Sequence, residues 1–325
     1  MSLTTGMTTK YAVGTAGGLR EDLEDKIWDL FADDTWALSN LDRVEANGTY
    51  HEWLKDSLAA AASNTALEGE EASFTTLASP TRVGNHCQIT KKTFLVSGTL
   101  EAVAKAGRST ESARQTVRKM RELKNDMEYA IVRGQGSAAG DVASARVSAG
   151  MEAWIATNQK FAATSTGGTA TGFSNGIVAA AGTATESSCS EGVFKSALTA
   201  SWTQGGDART ILCNSSTKQI IDGFSGIVTR NINMVSGQNS QAQIIGAANV
   251  YVSSYGVHTV MLHRHVRAGS ILCLDSDYWA VAMLRNPFME QLAKTGDGTK
   301  YQMLAEWTLV SRNEAASAVV CGAKV

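Results

Sequence analysis

Apolar residues recur at helical spacing in two main places along the chain. Leu19, Leu23, Ile27, Leu30 and Phe31 share one face, with acidic residues on the other, which predicts an amphipathic helix of about three turns. A helix that short is marginal alone and must dock its apolar face on something. The stronger stripe runs through Ala113, Val117, Met120, Leu123, Met127, Ala130 and Ile131, with Arg114, Arg118, Arg121, Lys124, Asp126 and Glu128 on the remaining surface. It predicts a helix over 109–133, capped by Ser109 or Thr110, ended by Gly134, and about 37 Å long. Residues 190–206, stopped by Gly205-Gly206, and 216–224 read as further helices, and 287–294 as a brief one.

A period of two marks the strands. In 47–57, Thr49, His51 and Trp53 fall on one side and Tyr50 and Glu52 on the other. In 81–97 the pattern returns through Val83, Cys87 or Ile89, Thr93 and Leu95. The Ala-, Ser- and Glu-rich stretch between them is a loop, with a short helical piece at Leu58–Ala62. Together these make an extended hairpin whose eleven-residue strands would span about 36 Å. A lone two-stranded hairpin is barely stable in water, so it needs a further surface, which a neighbouring subunit would offer. Residues 209–213 read as a buried strand, and Val250–Ser253, His258–His265, Ser270–Asp275, Tyr278–Leu284, Tyr301–Val310 and Ala318–Cys321 as further strands, with a tight turn at 295–300. Residues 1–18 form a loose arm, 134–149 a small-residue linker, and 162–188 and 230–247 loops. Helices, then a mixture, then strands make an α+β chain, and no internal repeat of fixed period is present.

Composition narrows the function classes. Of 325 residues, 43% are hydrophobic and 18% charged, which suffices for a core. With 29 basic against 31 acidic residues the chain lacks the basic excess of a nucleic-acid binder; beside nucleic acid it would enclose rather than grip. The cysteines, Cys87, Cys189, Cys213, Cys273 and Cys321, are scattered and form no CxxC pair, as expected of small buried hydrophobes in a reducing cytosol. No apolar run approaches the roughly 20 residues of a membrane span, and the first residues carry no secretory pattern.

No catalytic signature is present. There is no GxxxxGK[ST], GxSxG or HExxH. Gly134, Gly136 and Gly140 follow a helix at GxGxxxG spacing, unlike a dinucleotide loop. His263 and His265 would share a strand face, but no acid or cysteine cluster lies near them in sequence, so a surface or interface pair is expected in place of a metal site. Asp33-Asp34 and Glu68, Glu70 and Glu71 read as solvated acidic turns. No catalytic residue, cofactor or metal is expected.

Several segments in order resemble one family. They are LREDLEDKIWDLFADDTWAL, HEWLKDSL, QITKKTFLVSGTLEAVAKAGR leading into ELKNDMEYAI, and LRNPFMEQLAKTGDGTKYQMLAEWTLVSRNEAA, covering roughly 18–158 and 190–322. The chain is similar to the major capsid (head) proteins of tailed bacteriophages, in the subgroup typified by phage SU10. The resemblance implies an HK97-like fold with an N-terminal arm at 1–46 and an extended loop at 47–100. A peripheral domain would follow at 101–159 with its spine helix at 109–133, then a mostly axial domain at 160–275, and a return to the peripheral domain with C-terminal strands at 276–325. It implies hexamers and pentamers that close an icosahedral virion shell around double-stranded DNA. Assembly would occur in the host bacterial cytoplasm, with a scaffolding protein, a portal and a decoration protein as partners. An encapsulin-like compartment shell and an enzyme with an unrecognised site are the alternatives. The expected assembly residues are Leu23, Ile27, Trp28 and Phe31 on the arm helix and Tyr50, Trp53, Ile89 and Phe94 on the hairpin. Lys91 and Lys92 read as ordinary protection of an exposed strand rather than as cross-linking lysines.

Overall fold

The computed structural model describes residues 34–72, 74, 76–77, 79–224 and 249–324. The expected helix at 19–31 and the loop at 230–247 lie outside them. In chain order the elements are helix α1 (Trp36–Asn40), strands β1 (Asp42–Glu45), β2 (Tyr50–Lys55), β3 (Thr81–His86) and β4 (Gln88–Ser97), and helices α2 (Gly98–Ala102), α3 (Glu111–Val132) and α4 (Met151–Trp154). Strands β5 (Gln159–Phe161), β6 (Phe173–Ser174), β7 (Ile177–Val178) and β8 (Ser187–Ser188) lead to α5 (Glu191–Thr203), β9 (Thr210–Cys213) and α6 (Ser215–Asp222). The rest is β: β10 (Val250–Ser253), β11 (Gly256–Leu262), β12 (Ile271–Leu274), β13 (Trp279–Leu292), β14 (Gly298–Ser311), β15 (Ala318–Cys321) and β16 (Ala323–Lys324).

Two sheets organise these elements. A four-stranded sheet has the order β1-β13-β14-β4, and the long helix α3 packs on β4 and β14. A six-stranded sheet has the order β10-β11-β9-β12-β15-β5, with α5 packed on β15 and β5. One core runs from Leu123, Met127 and Ile131 of α3 to Trp154, Trp279, Met303 and Trp307; a second gathers Phe194, Leu198, Ile211, Ile221, Tyr251 and Ile271 around the six-stranded sheet.

The long helix forms where its stripe places it, yet its ends are made differently. Thr110 occupies the N-cap without a side-chain bond. The carboxylate of Glu101 in α2 accepts from the Glu111 amide at 3.0 Å and the Ser112 hydroxyl at 2.9 Å, satisfying donors that a helix start leaves open. Gly134 is not a left-handed cap; it is needed for close approach, because a Cβ there would sit 2.6 Å from Arg267 Nη2 and 2.9 Å from Glu152 Oε2. Only the second half of the stripe is covered: Leu123, Met127 and Ile131 are buried, whereas Ala113 and Val117 are exposed. Glu128, placed on the solvated face by the sequence reading, is fully buried.

Three other elements depart from expectation. The segment 287–294, read as a helix, continues strand β13 to Leu292, with Phe288 opposite Leu304 and Met289 opposite Met303. Register shifts between Met283 and Arg285 and between Arg285 and Phe288 take up Asn286-Pro287, so a proline without an N–H interrupts no ladder bond. Pairing of eleven residues with β14 outweighs the weak helical pattern. The strand expected over 81–97 divides at Cys87: β3 pairs with β2, and β4 crosses to pair with β14. The hairpin ladder is therefore six residues long, from Tyr50–His86 to Lys55–Thr81, and the stretch at 58–62 forms neither helix nor strand. Finally, β11 stops at Leu262, so His263 and His265 lie beyond the strand.

Candidate assembly surface

The hairpin β2–β3 is fastened at its root by polar groups that reach three other parts of the chain. The Tyr50 hydroxyl donates to the carbonyl of Gly176 at 3.1 Å. That carbonyl sits in the two-residue turn Asn175-Gly176 between β6 and β7, where φ is +51° and +84°. Left-handed φ at both positions is the hairpin turn that Asn-Gly specifies, a signal overlooked in reading 162–188 as loop. The Trp53 indole donates from Nε1 to the Ser311 carbonyl at 2.8 Å, and its ring lies 5.5 Å from Trp154, which stacks on Phe173 at 6.0 Å. Fully buried Asn85 donates to the carbonyls of Leu309 at 2.8 Å and Ala149 at 3.3 Å, and accepts from the Ala149 amide at 3.0 Å. An Asn inside an alternating strand carried no sequence signal for that role, because its partners are 64 and 224 residues away.

The expected hairpin residues therefore divide. Tyr50 and Trp53 are half-buried and bonded within their own chain. Phe94 stacks on Tyr301 at 4.9 Å, its partner across the β4–β14 ladder. Ile89 is exposed, in line with Lys91, Thr93 and Leu95 on the outer face of the edge strand β4. On the other face Lys92 pairs with Asp126 of α3 at 2.6 Å. The arm residues Leu23, Ile27, Trp28 and Phe31 lie outside the described residues. The unsatisfied surface sits farther out: on the connection 56–80, Leu58, Leu67, Phe74 and Leu77 are each at least four-fifths exposed.

Helix α1 is held by Glu128. Its two carboxylate oxygens accept from the backbone amides of Ala37 at 2.6 Å and Leu38 at 3.0 Å, capping the one-turn helix α1 from another element. Oε1 also lies 2.9 Å from His263 Nε2. His263 Nδ1 accepts from the His265 amide at 3.3 Å, so Nε2 carries the proton and donates to Glu128. Asp34 accepts from the Arg264 amide at 2.9 Å. Helix α1, the long helix and the loop after β11 thus meet at one buried carboxylate. Nearby, His265 Nε2 lies 2.7 Å from the Asn125 side chain, and burial with the neighbouring His263 holds the His265 pKa down. Glu152 of α4 accepts from Ser270 at 2.7 Å and faces Arg267 at 3.3 Å; its burial pushes its pKa up, against the pull of Arg267.

These histidines are spent on structural bonds. Among the described residues no group of three or more His, Cys, Asp or Glu side chains is placed to hold a metal ion. No helix among them is long and apolar enough to cross a membrane. The five cysteines are buried and unpaired.

A family model for the SU10 major capsid protein matches residues 3–324. The chain belongs to that family. This major capsid protein shares its fold with solved phage capsids at low sequence identity. The Microbacterium phage Oxtober96 structure aligns with a TM-score of 0.61 at 12% identity, covering 96% of this chain and 98% of that one. The capsid of the native GTA particle aligns at 0.60 and 14%, with coverage of 96% and 98%. The phage G structure of major capsid and decoration proteins aligns at 0.53 and 11%, covering 99% of each chain. No curated protein sequence matches the capsid protein. Its fold is HK97-like, and the family's role is structural, as a subunit of phage capsids.

Proposed function

We propose that the subunit assembles into hexamers and pentamers that close an icosahedral shell around double-stranded DNA. On this reading 1–46 is the arm, 47–100 the extended loop, 101–159 the peripheral domain with the spine helix α3, 160–275 mostly the axial domain, and 276–325 the return with the C-terminal strands. The observation that carries it is the connection 56–80, whose four large apolar side chains stand in solvent on a hairpin otherwise firmly rooted in the subunit. Apolar surface of that kind on a rigid stem marks a contact with another chain. The exposed face of β4 around Ile89 and Leu95 and the uncovered half of the α3 stripe at Val117 offer further surface of the same kind. Leu23, Ile27, Trp28 and Phe31 complete the contact from the arm.

A scaffolding protein and a portal would direct closure, and a decoration protein would bind the finished shell. Assembly takes place in the host bacterial cytoplasm before the virion leaves. Near-neutral net charge suits a wall that contains DNA without condensing on it. The test is to express the chain and examine it by analytical ultracentrifugation and electron microscopy. Shells, or pentamers and hexamers under mild conditions, are expected. A strictly monomeric species at high concentration, even with scaffold present, would overturn the reading. Particles filled with protein cargo and free of DNA in infected cells would point to a compartment shell instead.

A further inference from the structure

The near-neutral net charge is not spread evenly over the subunit. The loop after β11 reads His263-Arg264-His265-Val266-Arg267, and it lies against the C-terminal half of α3. The His265 ring meets Tyr129 edge-on at 5.8 Å. Arg133, at the end of α3, donates from Nε to the His265 carbonyl at 3.1 Å, and its guanidinium lies 4.5 Å over the Tyr129 ring. That ring is 44% exposed. Lys124 stands one helical turn before Glu128, the residue that bonds His263, and Arg264 follows His263 directly. Both cations are exposed, and among the described residues neither has an ion-pair partner. The carboxylates around them are engaged elsewhere. Glu122 pairs with Lys119 at 2.7 Å and Arg118 at 3.4 Å, Asp126 with Lys92 at 2.6 Å, and Glu152 with Arg267 at 3.3 Å. Glu128 is fully buried, and Asp34 accepts from the Arg264 amide and lies 3.7 Å from His263 Nε2. Lys124, Arg133 and Arg264 are therefore a surplus of positive charge on one surface.

We propose that Lys124, Arg133 and Arg264 form a contact for the phosphodiester backbone of the enclosed DNA, one on each subunit, and that this surface faces the interior of the shell. The chemistry fits that partner. A guanidinium held flat on an aromatic ring keeps a fixed plane and offers parallel N–H groups to two phosphate oxygens, while the lysine supplies a mobile point charge. Nothing in the set reads a base: the contact is to backbone charge alone, so it is independent of sequence. Three cations hold DNA weakly at one subunit. Repeated on every copy of a closed wall, they bind it many times over without any strongly basic segment in the chain. Such a surface tethers the outermost DNA and leaves the rest of the wall neutral, so the duplex is held but remains free to slide.

The inference rests on the shell reading above, and two measurements test it. In the first, full-length unassembled subunits are titrated with a short fluorescein-labelled DNA duplex of arbitrary sequence over a series of salt concentrations. Binding that weakens steeply with salt is expected, and the double variant Lys124→Ser/Arg264→Ser should lower the salt slope by about one unit for each cation lost. Its melting temperature should equal that of the wild type, and Lys124→Arg/Arg264→Lys should keep the slope. Binding that the double variant leaves unchanged, or no binding at all, would overturn the proposal. So would binding of poly-glutamate in place of DNA, which would assign the surface to an acidic protein. In the second, wild-type DNA-filled particles and the same particles emptied of DNA are treated with an acetylating reagent. Lys124 is expected to be protected in filled particles and reactive in emptied ones. Equal protection in both would mean that another copy covers it, and equal reactivity in both would place it away from the DNA; either result overturns the proposal and leaves the shell reading intact. A chain that binds the duplex through these residues but never forms particles would overturn the shell reading and the interior placement with it.

Discussion

At the scale of single residues, the subunit depends on a few buried polar groups that join segments distant in sequence. Glu128 is the clearest case. Removing its carboxylate leaves two amides of α1 and the His263 Nε2–H without acceptors inside the protein. Glu128→Ala is expected to lower unfolding free energy by about 3–5 kcal/mol, the range for breaking a buried charged network, read from urea titration of unassembled subunits. Glu152 differs in sign. Its carboxyl pKa is raised from the ordinary 4.5 by burial. Between that value and the raised one the folded state holds more protons than the unfolded state, so this group's contribution to stability grows as pH falls through the window and is lost as pH rises. Glu152→Gln is expected to remove that pH-dependent part. Unfolding curves of the two proteins at stepped pH would show it, and parallel pH profiles would count against it.

At the scale of elements, periodicity revealed most of the secondary structure and little of its pairing. The stripe of the long helix and the alternation in β10, β12 and β15 placed those elements within a residue or two. The break at Cys87 was hidden, because alternation continues through it while the pairing partner changes from β2 to β14. Strand β1, four residues of DRVE paired in parallel with β13, has no apolar pattern to announce it. The candidate site divided in the same way. A hairpin projecting from the body was legible from two alternating runs around a loop. That Trp53 faces inward was not, since its partners Trp154 and Ser311 come from other parts of the chain. This placement changes the expected result of Trp53→Ala. Truncating an aromatic ring packed on the core costs about 3 kcal/mol, so subunit stability and assembly should fall together. Calorimetry on subunits alongside particle yield decides this, and a loss confined to assembly would return Trp53 to the interface.

At the scale of the whole molecule, the described residues gather into three hydrophobic clusters, the largest of which takes in Trp36, Ala37 and Leu41 near the start of the described chain. Deleting residues 1–32 spares Asp34, α1 and the carboxylate that anchors them. The shortened chain is expected to fold, with unchanged circular dichroism, and to close shells poorly by electron microscopy. A truncated chain that is globally unfolded would assign the arm to the body. The family fold was recognisable because several local motifs occur in the right order.

The buried thiols carry one last consequence. Burial pushes the Cys87 pKa up to about 11 and those of Cys213, Cys273 and Cys321 to about 12. At neutral pH about one Cys87 side chain in ten thousand is then in the reactive thiolate form, and fewer of the others. A capsid subunit packed against other copies of itself is thereby shielded from stray disulfides. The same chemical silence makes the native shell a clean background on which a single introduced surface cysteine would be the one site that takes a label.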